Sequence, residues 1–169
     1  MNNNIDGYVF IESESSSVPT ILTDNRQSII IEAELQEVNA LNRNNRIYNE
    51  DAVWGALNGS MIQEKMKRKA FYGEAGHPMD DSVKRQTYID QTRISHIVNS
   101  VSKRGNHVMG IVESANTACG SDFKGLIRQG SEVAFSMRGL GNVVKKEGSV
   151  TRVCSPLMII SYDWVKNYI

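Results

Sequence analysis

The sequence predicts a mainly β protein with a few helices, an α+β domain in which about seven strands form a closed or nearly closed β-barrel. Three observations carry this expectation. Short runs rich in Val, Ile and aromatic residues recur along most of the chain, only two segments have helical spacing, and helices do not alternate with strands as a βαβ sheet requires. At 169 residues the chain suits one domain, which we expect over 28–169, preceded by a loosely organised segment over 1–27.

Taken in order, "GYVFIES" (7–13) reads as a short strand, and the Ser-rich "ESSSVPT" with Pro19 as a mobile loop. "SIIIEAELQEV" (28–38) combines β-branched residues with partial alternation, which fits a half-buried strand. The Asn-rich "NALNRNNRIYNE" reads as a loop ending in a helix start, with Asn49 as cap and Glu50 and Asp51 as first-turn acids. Over 51–69, Val53, Leu57, Met61, Ile62 and Met66 recur at helical spacing, and "KMKRK" places cations at the C-terminal end of the helix dipole. "RISHIVNSVS" and "HVMGIVESA" flank "KRGN" as a hairpin turning at Gly105. "SDFKGLIRQG" (121–130) reads as a short helix with Ser121 as cap and Gly130 as stop. Two extended runs, "EVAFSMRGLGNVV" and "SVTRVCSPLMIISYDWV", then follow around a turn at "KKEGS".

Bulk properties narrow the function. Nineteen Lys+Arg against nineteen Asp+Glu give no net charge, so nothing global recommends nucleic acid or an anionic membrane as partner. No apolar run approaches the ~20 residues needed to cross a bilayer, and "MNNNIDGYVF" has no signal-peptide pattern, so a cytoplasmic protein is expected. Cys119 and Cys154 are too few for a disulfide framework and lack metal-ligand spacing, which predicts two reduced thiols and no metal or other cofactor.

Two stretches carry candidate chemistry. In "GEAGHPMD" (73–80), Pro78 forces extended geometry on His77, so its imidazole is well placed either as a base or as an ordinary turn residue. In "VAFSMRGLG" (133–141), Ser136 sits where an apolar strand meets Gly139 and Gly141. Glycines after a serine allow backbone N–H groups to be aimed as oxyanion donors, although the same pattern also makes a plain structural turn. The stretch is not a GxSxG elbow, which disfavours an α/β-hydrolase. Cys119 in "TACG" is a second conceivable nucleophile, but it has no obvious basic partner nearby.

In their order and separations, "LNRNNRIYNED", "YGEAGHP", "ISHIV", "GSEVAFSMRGLG" and "ISYDWV" resemble the prohead (capsid-maturation) proteases of tailed phages, myovirus type, over roughly residues 28–165. These are in turn similar to the herpesvirus assemblins, serine proteases with a β-barrel surrounded by helices. The resemblance implies that 28–169 is a protease domain. It implies His77 as general base, Ser136 as nucleophile, and Arg138 and Gly139 as the oxyanion-binding Arg-Gly pair. Asp163 matches the family's Asp-x-Val position and is implied as third member, while the assemblins' use of a second histidine keeps His96 in contention. His107, beside the hairpin turn, is expected to be exposed and idle.

The resemblance further implies an enzyme that cuts scaffold or core proteins, major capsid protein and itself, after glutamate, inside the assembling prohead in the host cytoplasm, with a homo-oligomer possible. Glu12 and Glu14, each followed by serine, are the expected self-cleavage sites. Two alternatives stay open: a non-catalytic prohead core protein of the same fold, and an unrelated β-rich metal- or ligand-binding protein using Glu74, His77, His96 and His107.

Overall fold

The computed structural model describes residues 8–11 and 15–165. Its longest strands arise where apolar side chains alternate: β4 (Ile29–Glu37) buries Ile29, Ile31, Ala33 and Leu35 on one face. Before it come β1 (Tyr8–Ile11), β2 (Ser15–Ser17) and β3 (Thr20–Asp24), so the first 27 residues contribute strands as well as connections. After it come β5 (Arg46–Tyr48), α1 (Glu50–Leu57), α2 (Ser60–Lys67), β6 (Tyr72–Glu74) and α3 (Val83–Gln86). Then follow β7 (Ile94–Arg104), β8 (His107–Ser114), α4 (Ala118–Arg128) and β9 (Val133–Gly141). Finally β10 (Val144–Glu147), β11 (Val150–Val153) and β12 (Leu157–Val165) close the described chain.

The protein is thus mainly β with few helices, but the sheets are not closed into the closed or nearly closed barrel of about seven strands that was expected. Among the described residues twelve strands fall into three sheets: β3-β4-β8-β7-β6, β10-β11-β5, and β1-β9-β12 with β2 also on β9. The two larger sheets meet at one seam. There Ala75, just past β6, makes a single parallel bridge to Trp164 of β12, and the Gly76 N–H donates to the Trp164 carbonyl at 2.6 Å. No ladder continues across that seam, so the cylinder is not closed by hydrogen bonds among these residues.

Local differences from the sequence expectation have identifiable causes. The helix expected over 51–69 is two helices, because Asn58 ends α1 and Gly59 re-enters as the extended N-cap of α2 at ψ 156°. Asn49 does occupy the cap position of α1, but its side chain caps nothing and instead contacts Cys154 and Arg152. The later helix starts four residues earlier than expected, at Ala118, because Thr117 rather than Ser121 supplies the cap, its hydroxyl accepting from the Gly120 N–H at 2.9 Å. The hairpin of β7 and β8 forms as expected, with Gly105 at φ +60°.

The sheets share a buried core containing Ile31, Leu35, Phe71, Phe123, Phe135 and Tyr162. Tyr162 joins two sheets, since its hydroxyl donates to Gln36 Oε1 at 2.8 Å across the core from β12 to β4. This packing fixes the core-facing side of β9 and β12, and the candidate site stands on their opposite face.

Candidate active site

Ser136 lies near the middle of β9 and is directly opposite Asp163 of β12; Arg138 is opposite Ser161. Opposed residues of an antiparallel pair project to the same face, and residues two apart along a strand share a face. Register alone therefore sets Ser136, Arg138, Ser161 and Asp163 on one surface of the sheet. All four are buried.

His77 reaches this surface from the seam. After the Ala75–Trp164 bridge the chain turns at Gly76, φ +81°, a left-handed conformation that favours glycine, and Pro78 fixes the far side of His77. His77 Nδ1 donates to Asp163 Oδ2 at 2.8 Å. With the carboxylate as acceptor, Nδ1 carries the proton and a neutral ring presents its lone pair at Nε2. His77 Nε2 and Ser136 Oγ are both buried and without a hydrogen-bond partner among the described residues. Buried polar atoms left unpaired are rare in native proteins and cluster where chemistry is done.

Asp163 is held from four directions. Besides His77, its oxygens accept from the Glu74 backbone N–H at 3.1 Å and the Ser161 hydroxyl at 2.8 Å, and Arg138 Nε lies 3.1 Å from Oδ2. Burial alone pushes this carboxyl's pKa up, but the His77 hydrogen bond, the Arg138 charge and the Glu74 N–H outweigh it and hold the group below the ordinary aspartate range. Asp163 is accordingly an ionised, fixed carboxylate.

Behind it stands a buried ion-pair network. Arg138, fully buried, places Nη2 2.7 Å from Glu74 Oε2, and Arg85 Nη2 lies 2.6 Å from Glu74 Oε1. Arg93 Nε is 3.8 Å from the same Oε1. In front of His77 opens a cleft of about 820 Å³ lined by residues that include Met79, Arg85, Arg93 and Trp164.

The other sequence candidates separate clearly. His96 is buried in β7, where Nε2 donates to the Tyr162 carbonyl at 2.7 Å and Nδ1 pairs with the Ser95 hydroxyl at 2.8 Å, its ring stacked on Phe123. Burial drives its pKa down to about 4, against the opposing pull of the Tyr162 carbonyl and of Asp163, so the ring is neutral at pH 7. His107 is not exposed and idle: it is half-buried, with Nδ1 2.6 Å from Glu34 Oε1. The metal-ligating groups that gather among the described residues are Glu34, Glu37 and His107, not the set of Glu74, His77, His96 and His107. Cys119 Sγ faces the Thr92 carbonyl at 3.8 Å.

Arg138 and Gly139 lie inside β9, between β12 on one side and β1 on the other, where Arg138 is opposite Ile11 and Gly139 opposite Phe10. Sequence reasoning missed the roles of the Arg138 side chain, Glu74, Arg85 and Ser161. The one available signal was an arginine two residues after Ser136 on an otherwise apolar strand, which must either be buried with a partner or break the pattern.

A buried serine on the same sheet face as a histidine–aspartate pair is a constellation that nucleophilic chemistry can use. Comparison with known proteins takes this further: the model of the Peptidase S80 family matches residues 17–168, and the chain belongs to that family. Among solved structures it is similar to the bacteriophage T4 capsid assembly protease, gp21, with a TM-score of 0.76 and 20% identity, covering 96% of this chain and 99% of that one. No curated protein sequence matches.

Proposed function

We propose that this peptidase-family member is a serine endopeptidase of the assembling phage head, with Ser136 as nucleophile, His77 as general base and Asp163 as the carboxylate that orients it. The observation carrying this reading is the 2.8 Å His77–Asp163 hydrogen bond on the face where Ser136 stands in register with Asp163. In the reaction, Nε2 takes the Ser136 proton as Oγ adds to the scissile carbonyl, then returns it to the leaving amine; Asp163 keeps the proton of Nδ1 in place and stabilises the transient imidazolium. Ser136 Oγ and Nε2 are not yet hydrogen-bonded to each other, which is common before substrate enters. Backbone N–H groups at Arg138 and Gly139 are the proposed oxyanion donors.

The relative's description as a capsid assembly protease supports capsid or scaffold proteins of the assembling particle as substrates, and cleavage after glutamate is the specificity that the resemblance of the sequence implies. Self-cleavage belongs to the same reading. Glu12 and Glu14 lie outside the described residues, but their described neighbours Ile11 and Ser15 are opposite Arg138 and Phe135, which flank Met137 and Ser136 in β9. A chain segment paired along the nucleophile's own strand supports it as a substrate presented in cis. While β1 stays paired, the β9 N–H groups that face it are occupied, so an oxyanion role on that edge requires β1 to leave.

The decisive experiment incubates wild-type and Ser136→Ala protein with the cognate scaffold and follows new fragments by gel and mass spectrometry. Cleavage by wild type alone is expected. No cleavage, with a serine-directed fluorophosphonate leaving Ser136 unlabelled, overturns the reading in favour of a non-catalytic core protein.

A further inference from the structure

We propose that the buried Arg138 guanidinium, tethered by Glu74, is a positioning residue that sets how strongly Asp163 holds His77. This rests on the triad reading above. The critical feature is a shared atom: Asp163 Oδ2 accepts from His77 Nδ1 at 2.8 Å and lies 3.1 Å from the charged Arg138 Nε. A cation on the same oxygen draws carboxylate charge away from the imidazole and so disfavours the imidazolium.

Glu74 opposes that effect. It takes the other end of the guanidinium at 2.7 Å, and its own backbone N–H donates to Asp163 Oδ1, so one residue both restrains the cation and orients the carboxylate. Glu74 is in turn held by Arg85 at 2.6 Å and approached by Arg93 at 3.8 Å. The linked set holds three guanidinium groups and two carboxylates. Asp81 and Asp90 line the cleft on the solvent side, and His96 beneath the sheet is neutral.

Burying such a network is costly, and an apolar side chain of similar volume would pack at less expense. Ser161 adds a second restraint, since its hydroxyl accepts from Arg138 Nε at 3.2 Å and donates to Asp163 Oδ1 at 2.8 Å. A group that merely filled space would have no need to contact the same carboxylate oxygen as the base.

The test exploits opposite signs. Glu74→Gln keeps shape and the backbone N–H but removes the restraining charge, so the full cation falls on Asp163 and the acid limb of kcat/KM should move to lower pH, by about one unit. Arg138→Met removes the cation and should move the limb to higher pH by about one unit, with Arg138→Lys returning most of the shift. Arg85 lies at the edge of the network with its side chain 13% exposed, so Arg85→Gln tests the idea in a variant that should fold even if the buried ones do not; it too should raise the limb, by less. The titration midpoint of the His77 ring, read by NMR in the same proteins without substrate, should move the same way in each. Midpoints displaced as expected in protein that cuts no scaffold would end the protease reading and leave this one standing. Midpoints equal to wild type in Arg85→Gln and in every buried variant that folds would overturn it.

Discussion

Burial decides what each histidine does. His77 keeps one ring nitrogen on a fixed carboxylate and the other free of partners among the described residues, whereas His96 commits both nitrogens, to Tyr162 and Ser95. Ser136→Ala and His77→Ala should each lower turnover by roughly 10⁴-fold or more with the fold intact, and the double variant should be little worse than either, because such residues act as a unit. Single-turnover assays on the three proteins check this; multiplicative losses would show that one residue is structural. Asp163→Asn should cost on the order of 10⁴ in kcat, since an amide cannot hold the required tautomer, while His96→Gln should be mild in kcat. His96 instead governs acid stability. Its folded pKa of about 4 lies below the ordinary value of 6.5, so between those pH values the unfolded chain binds a proton that the folded one refuses. Stability should therefore fall from about pH 6.5 down to about pH 4, by roughly 3 kcal/mol from this group, with Asp163 adding a further loss below its ordinary range. Urea unfolding across that range should show a much shallower decline in a folded His96→Gln variant.

At the scale of elements, the sequence showed most where local rules suffice. Alternation identified β4, and a glycine turn identified the β7–β8 hairpin, because both signals are contained within a few residues. The short strand β5 was hidden in an Asn-rich loop because its parallel pairing with β11 is a contact more than a hundred residues away in sequence. Strand β6 is likewise defined from outside, by its antiparallel pairing with β7, where Gly73 is opposite His96. Gly73 shows how close that approach is: a Cβ there would lie 2.0 Å from His96 Nε2 and 2.4 Å from the Tyr162 carbonyl oxygen. One of these is backbone, so the strand itself must move. Gly73→Ala should destabilise by about 3 kcal/mol or more and, by shifting Glu74 and the turn to His77, abolish cleavage even where the protein stays folded. Thermal unfolding together with the scaffold assay checks it, and a variant with wild-type Tm and activity would show that the seam is looser than its geometry.

For the whole molecule, the mainly β class of fold and the residues that gather at the candidate site were legible in the sequence, and the assembly of sheets was not. His77, Ser136 and Asp163 lie in separate short motifs that carry the family resemblance, whereas strand order depends on pairings with no local signature, and so twelve strands in three sheets stand among the described residues where about seven in a closed or nearly closed barrel were expected. In the N-terminal region "GYVFIES" read as a strand, as β1 is, but the Ser-rich composition that follows predicts a loose loop while β2 pairs along β9 by backbone hydrogen bonds that need no particular side chains. That pairing makes a prediction about the molecule's history. If the segment is both a strand on the nucleophile's edge and a substrate, cleavage within it is a reaction of one chain on itself, and its rate should not depend on protein concentration. On prolonged incubation, wild-type protein should acquire new N-termini at Ser13 or Ser15, with the same half-time over a hundredfold dilution, and Ser136→Ala should acquire none. A half-time that lengthens in proportion to dilution would mean that one molecule cuts another. An N-terminus that stays intact in protein able to cut scaffold would remove the self-processing site and leave the protease assignment in place.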